Sequence, residues 1–498
     1  MSQAPKPTGI RAWTPAARIE PFVRIGIILD EDAFDVVRLR VPDEPYLLES
    51  PATEPRRLGP GTVLEVRRSG AGVAATVGNA SPIAGDVLRL VPTARPAGGL
   101  TPAGAGVTVH GVVAGRGFHW QKRIDETLGG VLELVPGRRG VVLVNELPLE
   151  DYLAGVITAE MSGACPADLL KAQCVVARSW LLAMTEPKHE TEPFDRCNDD
   201  CCQRYQGTGD LGPTALAAVR NTRGEVLLAP TGAVLDANYA KSCGGISETP
   251  WAVWGLDKPG ISPIVDAPAD AAERGWLESF RARCAAGLAG EGKAPAWPSS
   301  GADQRRDAGA TMQNDLDEYL DGAWLKTTRC YCSPNMVPVE AIGRYLGRVD
   351  TTDDYFRWTV RYERAELEAL LRDKLTDARE LVELRDLRVR ARGVSGRAYI
   401  VEVEWANARG DVVCSRVESE YRIRQVLHRK FLYSSAFAVR PQRDADGRLV
   451  AVTLRGAGWG HGVGMCQIGA LGMALAGIDH AAICRHYYPK ARLETVYT

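Results

Sequence analysis

Short apolar runs separated by glycine and proline occupy the first third of the chain and predict β-strands. The runs begin at Phe22 and read VRIGIILD, DVVRLRV, TVLEVRR, GVAATVG and DVLRLV. We therefore predict one or two small β-rich domains over residues 21–140. Residues 1–20, which contain three prolines, are predicted to form a disordered lead.

The spacing of apolar positions changes to that of a helix between Leu149 and Met184. This segment predicts two helices that are separated at residues 162–165. Pro166 follows the break at a first-turn position, where its missing N–H would be unpaired in any case. A pair of helices is therefore expected directly after the β-rich region.

The first of these helices carries an apolar stripe made of Leu153, Val156 and Ile157. Glu160 continues this stripe, and because burial disfavours the charged form of a carboxyl group, a glutamate here is a candidate general acid. Lys171 and Arg178 lie seven residues apart on the second helix and are expected on one face, where two cations suit an anionic or sugar substrate. The alternative for Glu160 is a structural ion pair at the helix end.

The remainder of the chain mixes helices and strands without a regular βαβ alternation. Residues 258–350 are rich in Gly, Ala, Pro and charge, and they predict a long irregular excursion with short helices. From Phe356 the pattern predicts a strand, a helix, three strands, a helix and two strands. A glycine-rich loop into a helix follows, and then a last helix and strand. Such mixing is typical of α+β folds, and we predict that class.

Composition narrows the functional classes. The 498 residues are 45% hydrophobic and 24% charged, which is ordinary for a folded chain, and this length predicts two or three domains. A formal net charge of −2 and the lack of a basic tract argue against nucleic-acid binding. No apolar run reaches the length of a membrane span, and the first twenty residues lack the apolar core of a secretory signal.

Four metal-binding side chains lie close together in the sequence, namely His189, Cys197, Cys201 and Cys202. Thiolates and an imidazole at this density suit a tetrahedral zinc site, although CxxxCC is not the spacing of a standard zinc knuckle. A disulfide such as Cys197–Cys202 is the alternative, which an oxidising compartment would favour. Twelve cysteines in a chain of this length are too dilute for a disulfide scaffold. Cys330 and Cys332 either complete the same cluster or are two buried, inert thiols.

Five glycines and His461 fall within residues 456–464. A glycine-rich loop that opens a helix is able to hold a phosphate, but neither GK[ST] nor a dinucleotide fingerprint is present. Two interpretations remain. The loop brings backbone close to a ligand or to another helix, with His461 and Gln467 nearby, or it is a tight packing turn.

Four sequence blocks carry a family resemblance. They read LPLEDYLAGVITAEM…P…LLKAQCVVARSWLL, CNDDCCQRYQG, YAKSCGGISE and GAGWGHGVGMCQIGALGMA, the last followed by HYYP. In order and spacing they resemble the stage II sporulation protein D / amidase-enhancer (SpoIID/LytB) family of bacterial peptidoglycan-remodelling proteins. The resemblance implies a SpoIID-like catalytic core of mixed helices and short strands over residues 141–498, with the irregular excursion at 258–350.

The resemblance implies a lytic transglycosylase that cleaves the bond between N-acetylmuramic acid and N-acetylglucosamine in peptidoglycan strands whose stem peptides have been removed. In such a family the glutamate of the AEM motif, here Glu160, is the catalytic acid/base. It protonates the glycosidic oxygen and then accepts the proton of the muramoyl 6-hydroxyl, which closes a 1,6-anhydro ring. Because the nucleophile belongs to the substrate, a second carboxylate is not needed.

The same resemblance implies that Arg178 and Lys241 line the cleft with Glu160 and hold the substrate or stabilise developing charge. Further substrate-binding candidates are Gln173, Tyr205, Tyr239, His461 and Gln467. The cysteine block of the family often binds zinc, and a histidine commonly stands where this chain has Cys201. The ligand set therefore stays open among the four residues named above and a site shifted toward Cys243. Such a zinc ion would be structural, and no organic cofactor is implied.

Two other functions remain compatible with the sequence. One is a peptidoglycan-binding protein that activates an N-acetylmuramoyl-L-alanine amidase without cutting glycan, a behaviour for which part of the family is named. The other is a zinc-stabilised structural protein with an inert cleft. Glu160, Arg178 and Lys241 together favour the enzyme, because a pure binder has no need of an acid on an apolar face. The family implies work in the cell envelope, whereas no signal peptide is visible in the sequence.

Overall fold

The computed structural model describes residues 9–94, 99–117, 121–183, 185, 188–272, 274–289, 329–346, 355–376 and 382–498. These residues divide into two compact units. Unit 1 comprises the described residues up to 228 together with 344–346 and 493–498, and unit 2 comprises those in 229–343 and 355–492. Both units mix helices and strands, which confirms the predicted α+β class.

Two β-sheets form the first part of unit 1. Their strands are β1 (Phe22–Ile28), β2 (Val36–Arg40), β3 (Tyr46–Ser50), β4 (Thr53–Leu58), β5 (Val63–Ser69), β6 (Gly72–Val77), β7 (Ile83–Gly85), β8 (Leu88–Pro92), β9 (Val107–Ala114), β10 (Lys122–Leu128), β11 (Val131–Pro136), β12 (Val141–Pro148) and β13 (Arg196–Cys197). One sheet has the order β13-β1-β12-β11-β8-β3-β4, and the other has the order β10-β9-β2-β5-β6-β7.

The five apolar runs predicted as strands correspond to β1, β2, β5, β6 and β8. In β2 the side chains of Val37 and Leu39 are buried, whereas those of Arg38 and Arg40 are exposed. Successive side chains of a strand point to opposite faces of the sheet, so this alternation buries one face and leaves the other in solvent.

The predicted helix pair follows β12 directly. It consists of α1 (Leu149–Glu160) and α2 (Ala167–Ala183), while Met184 lies outside the described residues. The apolar stripe of α1 is fully buried, and α1 contacts both α2 and α3 (Pro213–Asn221). The strand β14 (Glu225–Leu228) pairs with β23 (Arg492–Thr495).

Strand β12 connects the β-rich region to the helix pair. It pairs antiparallel with β1, from Phe22↔Pro148 to Ile28↔Leu143, and its last residue precedes the first residue of α1. The expected boundary at residue 140 therefore falls within one sheet, and the β-rich region and the helix pair share unit 1.

Residues 9–20 are ordered, in contrast to the disordered lead predicted for residues 1–20, of which 1–8 lie outside the described residues. They form two 3-10 turns, Ile10–Ala12 and Pro15–Ala17. Ile10 and Trp13 are buried, and the Trp13 ring packs edge-on against Tyr497 with centroids 6.3 Å apart. Two large apolar side chains thus fix a segment whose composition predicted disorder.

Unit 2 contains two three-stranded sheets. Their strands, in spatial order, are β16 (Arg357–Glu363), β21 (Leu449–Ala457) and β20 (Phe437–Arg443), and then β17 (Glu383–Arg392), β18 (Ala398–Ala406) and β19 (Val412–Glu418). The helices after α3 are α4 (Pro250–Trp254), α5 (Arg274–Ala289), α6 (Val339–Leu346), α7 (Arg364–Lys374), α8 (Glu420–Val426), α9 (Gln467–Leu475) and α10 (His480–Tyr487). The element order predicted from Phe356 onward is confirmed. Of the expected excursion at 258–350, the described parts contain α5 and α6.

A short parallel pair joins two distant segments of unit 2. Strand β15 (Tyr239–Ala240) pairs with β22 (Met465–Cys466) in the register Tyr239↔Met465 and Ala240↔Cys466. The pairing places the YAKSCGGISE block beside the glycine-rich block, although more than two hundred residues separate them.

Candidate functional site

Glu160 lies at the end of α1, where the buried apolar stripe meets solvent. The three apolar residues of the stripe are fully buried, whereas Glu160 is half-buried. The main-chain N–H of Arg204 donates a 3.4 Å hydrogen bond to Glu160 Oε1. A half-buried carboxyl group that is held from one side and exposed on another is able to reach a ligand oxygen.

Asp200 is a second carboxyl group close to Glu160. Its side chain is 25% exposed and pairs with Arg204, with Nη2 and Oδ1 2.9 Å apart. Desolvation raises the pKa of Asp200 to about 6, against the opposing charge of Arg204, and the negative charge of Glu160 adds to this rise. The sequence pattern did not reveal Asp200, since its only signal was a place among the acidic residues of the CNDDCC loop.

The CNDDCC loop is fastened to unit 1 through Asp199. Its carboxylate accepts hydrogen bonds from the main-chain N–H groups of Gly115 at 3.1 Å and Arg116 at 2.7 Å. The Arg116 guanidinium also donates to Asn198 Oδ1 at 2.7 Å. Charge-assisted hydrogen bonds of this kind hold the loop in one position, and with it the neighbouring Asp200.

Arg178, predicted to line the cleft, has no exposed surface. Its guanidinium pairs with the Glu150 carboxylate, with Nη2–Oε2 and Nε–Oε1 distances of 2.7 and 3.0 Å. Its Nη1 donates to the Glu225 carbonyl at 2.9 Å, and the Tyr497 hydroxyl donates to the same Glu150 carboxylate at 2.6 Å. These contacts give Arg178 a structural role between α1, α2 and β14.

Gln173 and Tyr205, two predicted substrate-binding residues of unit 1, are also buried. The Tyr205 ring stacks on that of Tyr152, with centroids 5.1 Å apart. Lys171 is half-buried and pairs with Asp168 at 3.3 Å. The lysine and arginine that were expected on one face of α2 therefore have different surroundings, because the helix is covered along only part of its length.

The four predicted metal ligands come together in unit 1. The ligand atoms of His189, Cys197, Cys201 and Cys202 all lie within 4.8 Å of one another. Cys201 Sγ is 2.9 Å from Cys197 Sγ, 4.0 Å from Cys202 Sγ and 3.9 Å from His189 Nε2. Hydrogen bonds from Cys197 and Cys201 lower the pKa of Cys202. The thiols of the described cysteines are free, so the alternative disulfide Cys197–Cys202 is not formed.

The glycine-rich block of unit 2 runs along the YAKSCGGISE block. Trp459 and Ser242 exchange main-chain hydrogen bonds of 2.8 and 3.0 Å, and the Met465 N–H donates to the Asn238 carbonyl at 3.1 Å. Gly464 has a φ of +74°, and a Cβ there would overlap the Asn238 carbonyl oxygen. The glycines thus bring backbone against backbone, which agrees with the interpretation as a tight packing turn.

The other predicted cleft residues lie around this turn in unit 2. Tyr239 and Lys241 are half-buried at β15, and Gln467 is buried as the first residue of α9. The main-chain N–H of Ile468 donates to the Lys241 carbonyl at 3.0 Å. The start of α9 and the segment that carries Lys241 are therefore tied together directly.

His461 is held neutral at the same turn. Desolvation lowers its pKa to about 3, and three cations of unit 2 add to this effect, namely Arg424, Arg397 and Lys258. Its Nδ1 accepts the main-chain N–H of Val463 at 3.1 Å. A neutral imidazole that accepts at Nδ1 carries its proton on Nε2, so His461 is a hydrogen-bond donor rather than a cation here.

Two family models match the chain. Residues 137–228, which contain α1, α2 and the CNDDCC loop, match the model described as Stage II sporulation protein (SpoIID). This part of the chain is a SpoIID domain. Residues 317–464 match a second model, described as a domain of unknown function (DUF8618).

One curated relative is an uncharacterized protein of Brachyspira hyodysenteriae. It is 31% identical over 151 residues, which are 30% of this chain and 41% of the relative. The chain therefore spans less than half the length of this relative.

The SpoIID domain contains Glu160, Asp200 and the first cysteine cluster. Such a domain implies a function that is related to the cell wall. Within the part of the chain that the structure describes, no helix combines the length and the apolar character needed to cross a membrane.

Proposed function

We propose that this protein is a lytic transglycosylase that cleaves the bond between N-acetylmuramic acid and N-acetylglucosamine in peptide-stripped peptidoglycan strands. The observation that carries the proposal is the place of Glu160 in the SpoIID domain. Its carboxyl group is half-buried at the end of an apolar helix face, and the Arg204 N–H holds one of its oxygens. This is the environment of a group that exchanges a proton with a bound sugar.

Glu160 acts as acid and then as base in this mechanism. It first gives its proton to the glycosidic oxygen, so that the bond from the muramoyl C1 breaks and N-acetylglucosamine leaves with a free 4-hydroxyl. The resulting carboxylate then takes the proton of the muramoyl 6-hydroxyl, whose oxygen bonds to C1. The proton returns to Glu160, and no water is consumed. The product is a 1,6-anhydro end.

Substrate contacts are assigned according to exposure. Within unit 2, Lys241, Tyr239 and His461 are half-buried rather than enclosed, and we propose these side chains as candidates for contact with glycan. We do not propose Arg178 as a substrate contact, because its guanidinium pairs with the Glu150 carboxylate in the interior of unit 1. Gln173, Tyr205 and Gln467 are also buried, and we propose that they stabilise the protein interior rather than bind the substrate.

We also propose that His189, Cys197, Cys201 and Cys202 hold a structural zinc ion. Three thiols and one imidazole form a donor set that zinc prefers, and all four ligand atoms lie within 4.8 Å of one another. A bound ion would cross-link β13, the CNDDCC loop and the segment that carries His189. Because peptidoglycan lies outside the cytoplasm, we propose the cell envelope as the place of action.

The deciding experiment compares the wild-type protein with Glu160→Gln on purified, peptide-free glycan strands, with products identified by mass spectrometry. Glu54→Gln, which changes an exposed glutamate of β4 in the same way, serves as the matched control. We expect anhydro-muramoyl ends from the wild-type protein and from Glu54→Gln, and none from Glu160→Gln. Circular dichroism verifies that all three proteins are folded.

Two other outcomes contradict the proposal in different ways. Reducing ends would mean hydrolysis, and Asp200 would then be the first candidate for activating the water. Retained strand binding without cleavage by the wild-type protein would favour the activator of an amidase. That function is tested by adding an N-acetylmuramoyl-L-alanine amidase and measuring the release of stem peptides.

A further inference from the structure

Three thiols and one carboxyl group converge in the interior of unit 2, apart from the cluster assigned above. They belong to Cys243, Cys332, Cys466 and Asp266, none of which is more than 2% exposed. Their four ligand atoms lie within 4.8 Å of one another. Cys243 Sγ is 3.8 Å from Cys332 Sγ and 3.2 Å from Asp266 Oδ2.

The distance between the two sulfur atoms distinguishes a metal site from a disulfide. With zinc–sulfur bonds of about 2.3 Å, two ligands of a tetrahedral ion are about 3.8 Å apart. A disulfide requires a separation of about 2.05 Å. The observed 3.8 Å between Cys243 Sγ and Cys332 Sγ corresponds to the edge of a zinc tetrahedron.

Main-chain hydrogen bonds hold the segments that supply the ligands. Parallel pairing of β15 with β22 brings Cys466 opposite Ala240, close to the turn that carries Cys243. The Asp266 N–H donates to the Gly245 carbonyl at 2.9 Å, and the Tyr331 N–H donates to the Asp266 carbonyl at 2.9 Å. The ligands are thus positioned by backbone, as a preorganised site requires.

Hydrogen bonds around the cluster suit thiolates and a charged carboxylate. Cys466 Sγ accepts the N–H groups of Cys243 and Gly469, each at 3.2 Å, and Cys466 is the N-cap of α9, where negative charge is favoured. The Tyr487 hydroxyl donates to Asp266 Oδ1 at 2.8 Å, which leaves Oδ2 directed at Cys243. Outer partners of this kind orient metal ligands.

We propose that Cys243, Cys332, Cys466 and Asp266 form a second, structural zinc site, in which four protein ligands enclose the ion. The Asp266 carboxylate contacts the Tyr487 hydroxyl and the His486 ring, whose Nε2 lies 3.4 Å from Oδ1, but these partners do not balance the charge of a carboxylate together with three thiolates. A divalent ion supplies that balance and releases the thiol protons to solvent on binding. It would lock the turn after Lys241 to the start of α9. The site is independent of the proposed enzymatic activity.

The test measures the metal content per chain of the purified full-length protein by inductively coupled plasma mass spectrometry. Wild-type protein is compared with Cys466→Ser and with Cys414→Ser, which changes an exposed cysteine of β19 in the same way. We expect Cys466→Ser to hold one zinc equivalent fewer than the wild type, and Cys414→Ser to hold the same amount. After cobalt replaces zinc, the thiolate-to-cobalt absorption should fall in Cys466→Ser only.

The same comparison is repeated in a Cys197→Ser/Cys201→Ser background. These substitutions remove two ligands of the first cluster, so that the metal of the second site is measured alone. In that background the remaining zinc equivalent should persist and should disappear on adding Cys466→Ser. Equal metal contents in all variants, or an intact mass lower by two hydrogens with unchanged metal, would overturn the proposal. If Cys466→Ser does not fold, Asp266→Asn keeps the three thiols, and one zinc equivalent should then leave at a lower chelator concentration. Unchanged release would equally refute the site.

Discussion

Arg178 and Glu150 form a fully buried ion pair that joins α2 to α1, with N–O distances of 2.7 and 3.0 Å. Tyr497 donates its hydroxyl to the same carboxylate at 2.6 Å. Neither charge has access to water, so removing one partner leaves the other uncompensated in the protein interior. The pair therefore holds together the helices that present Glu160.

Loss of this pair should destabilise the protein strongly. We expect Arg178→Met to lower the free energy of unfolding by about 3–5 kcal/mol, since an uncompensated Glu150 carboxylate stays buried. Lys171→Met is the control, because it breaks the half-exposed pair with Asp168 on the same helix and should cost less than about 1 kcal/mol. Urea unfolding measures both variants, and equal costs would mean that the buried pair does not stabilise α1 and α2.

Glu126 makes the stability of the protein depend on pH. It is buried on β10, where desolvation raises its pKa to about 8, against the opposing charge of Arg116. The unfolded chain loses this proton near pH 4.5, whereas the folded chain keeps it until about pH 8. Unfolding therefore releases a proton between these values, and the free energy of unfolding falls as pH rises through this window.

The substitution Glu126→Gln should remove this dependence. The stability of the variant relative to the wild type is expected to increase from pH 5 to pH 8 by on the order of 3–5 kcal/mol. Denaturant unfolding at both pH values measures the change, with Glu54→Gln as the exposed control. A constant difference across this pH range would show that Glu126 is ionised in the folded protein.

Gly464 should tolerate a side chain less well than Gly460 in the same loop. Both have positive φ, +74° and +86°, so alanine strains the backbone at either position. At Gly460 the added Cβ would meet Ala240 Cβ at 3.4 Å, whereas at Gly464 it would overlap the Asn238 carbonyl. We expect Gly464→Ala to lower the free energy of unfolding by about 1–3 kcal/mol more than Gly460→Ala does. Equal losses of stability in the two variants would mean that backbone strain alone accounts for both.

Asp200 should shape the pH profile of cleavage if the proposed activity holds. Above its pKa of about 6, Asp200 adds a negative charge near Glu160, which stabilises positive charge that develops on the sugar ring. We expect the ratio of wild-type to Asp200→Asn kcat/KM to rise on the order of three- to tenfold from pH 5 to pH 7. Asp210→Asn, at an exposed position of unit 1, should show no such trend. If the ratio of wild-type to Asp200→Asn kcat/KM does not change with pH, the charge of Asp200 does not assist cleavage.

Local features could be predicted from the sequence because their periods are short. The apolar stripe of α1 and the alternation in β2 are repeated every few residues, and both are observed. The ligands of the first cysteine cluster lie within fourteen positions of one another, from His189 to Cys202, so proximity in sequence was enough to group them.

Long-range contacts could not be predicted in the same way. Helical spacing predicted the face of α2 on which Arg178 lies, but not the element that packs against that face. The burial of Arg178 against Glu150 was therefore not predicted. The ligands Cys243 and Cys466 are 223 residues apart, and only the pairing of β15 with β22 brings them together. Asp266 gave no signal at all, because a single aspartate has no local pattern.

The hydrogen bond from Tyr497 to Glu150 has a consequence for translation, since it joins residues 347 positions apart. At roughly 5–20 residues per second, a ribosome needs about 17–70 s to add the residues between Glu150 and Tyr497. Until Tyr497 has been made, its hydrogen bond to the carboxylate of the buried pair is not able to form, and the Cys243–Cys466 contact of unit 2 likewise requires the synthesis of Cys466. During that interval the Glu150 carboxylate lacks its Tyr497 donor and the Cys243 thiol lacks its Cys466 neighbour, so the growing chain carries polar groups whose final partners are not yet made.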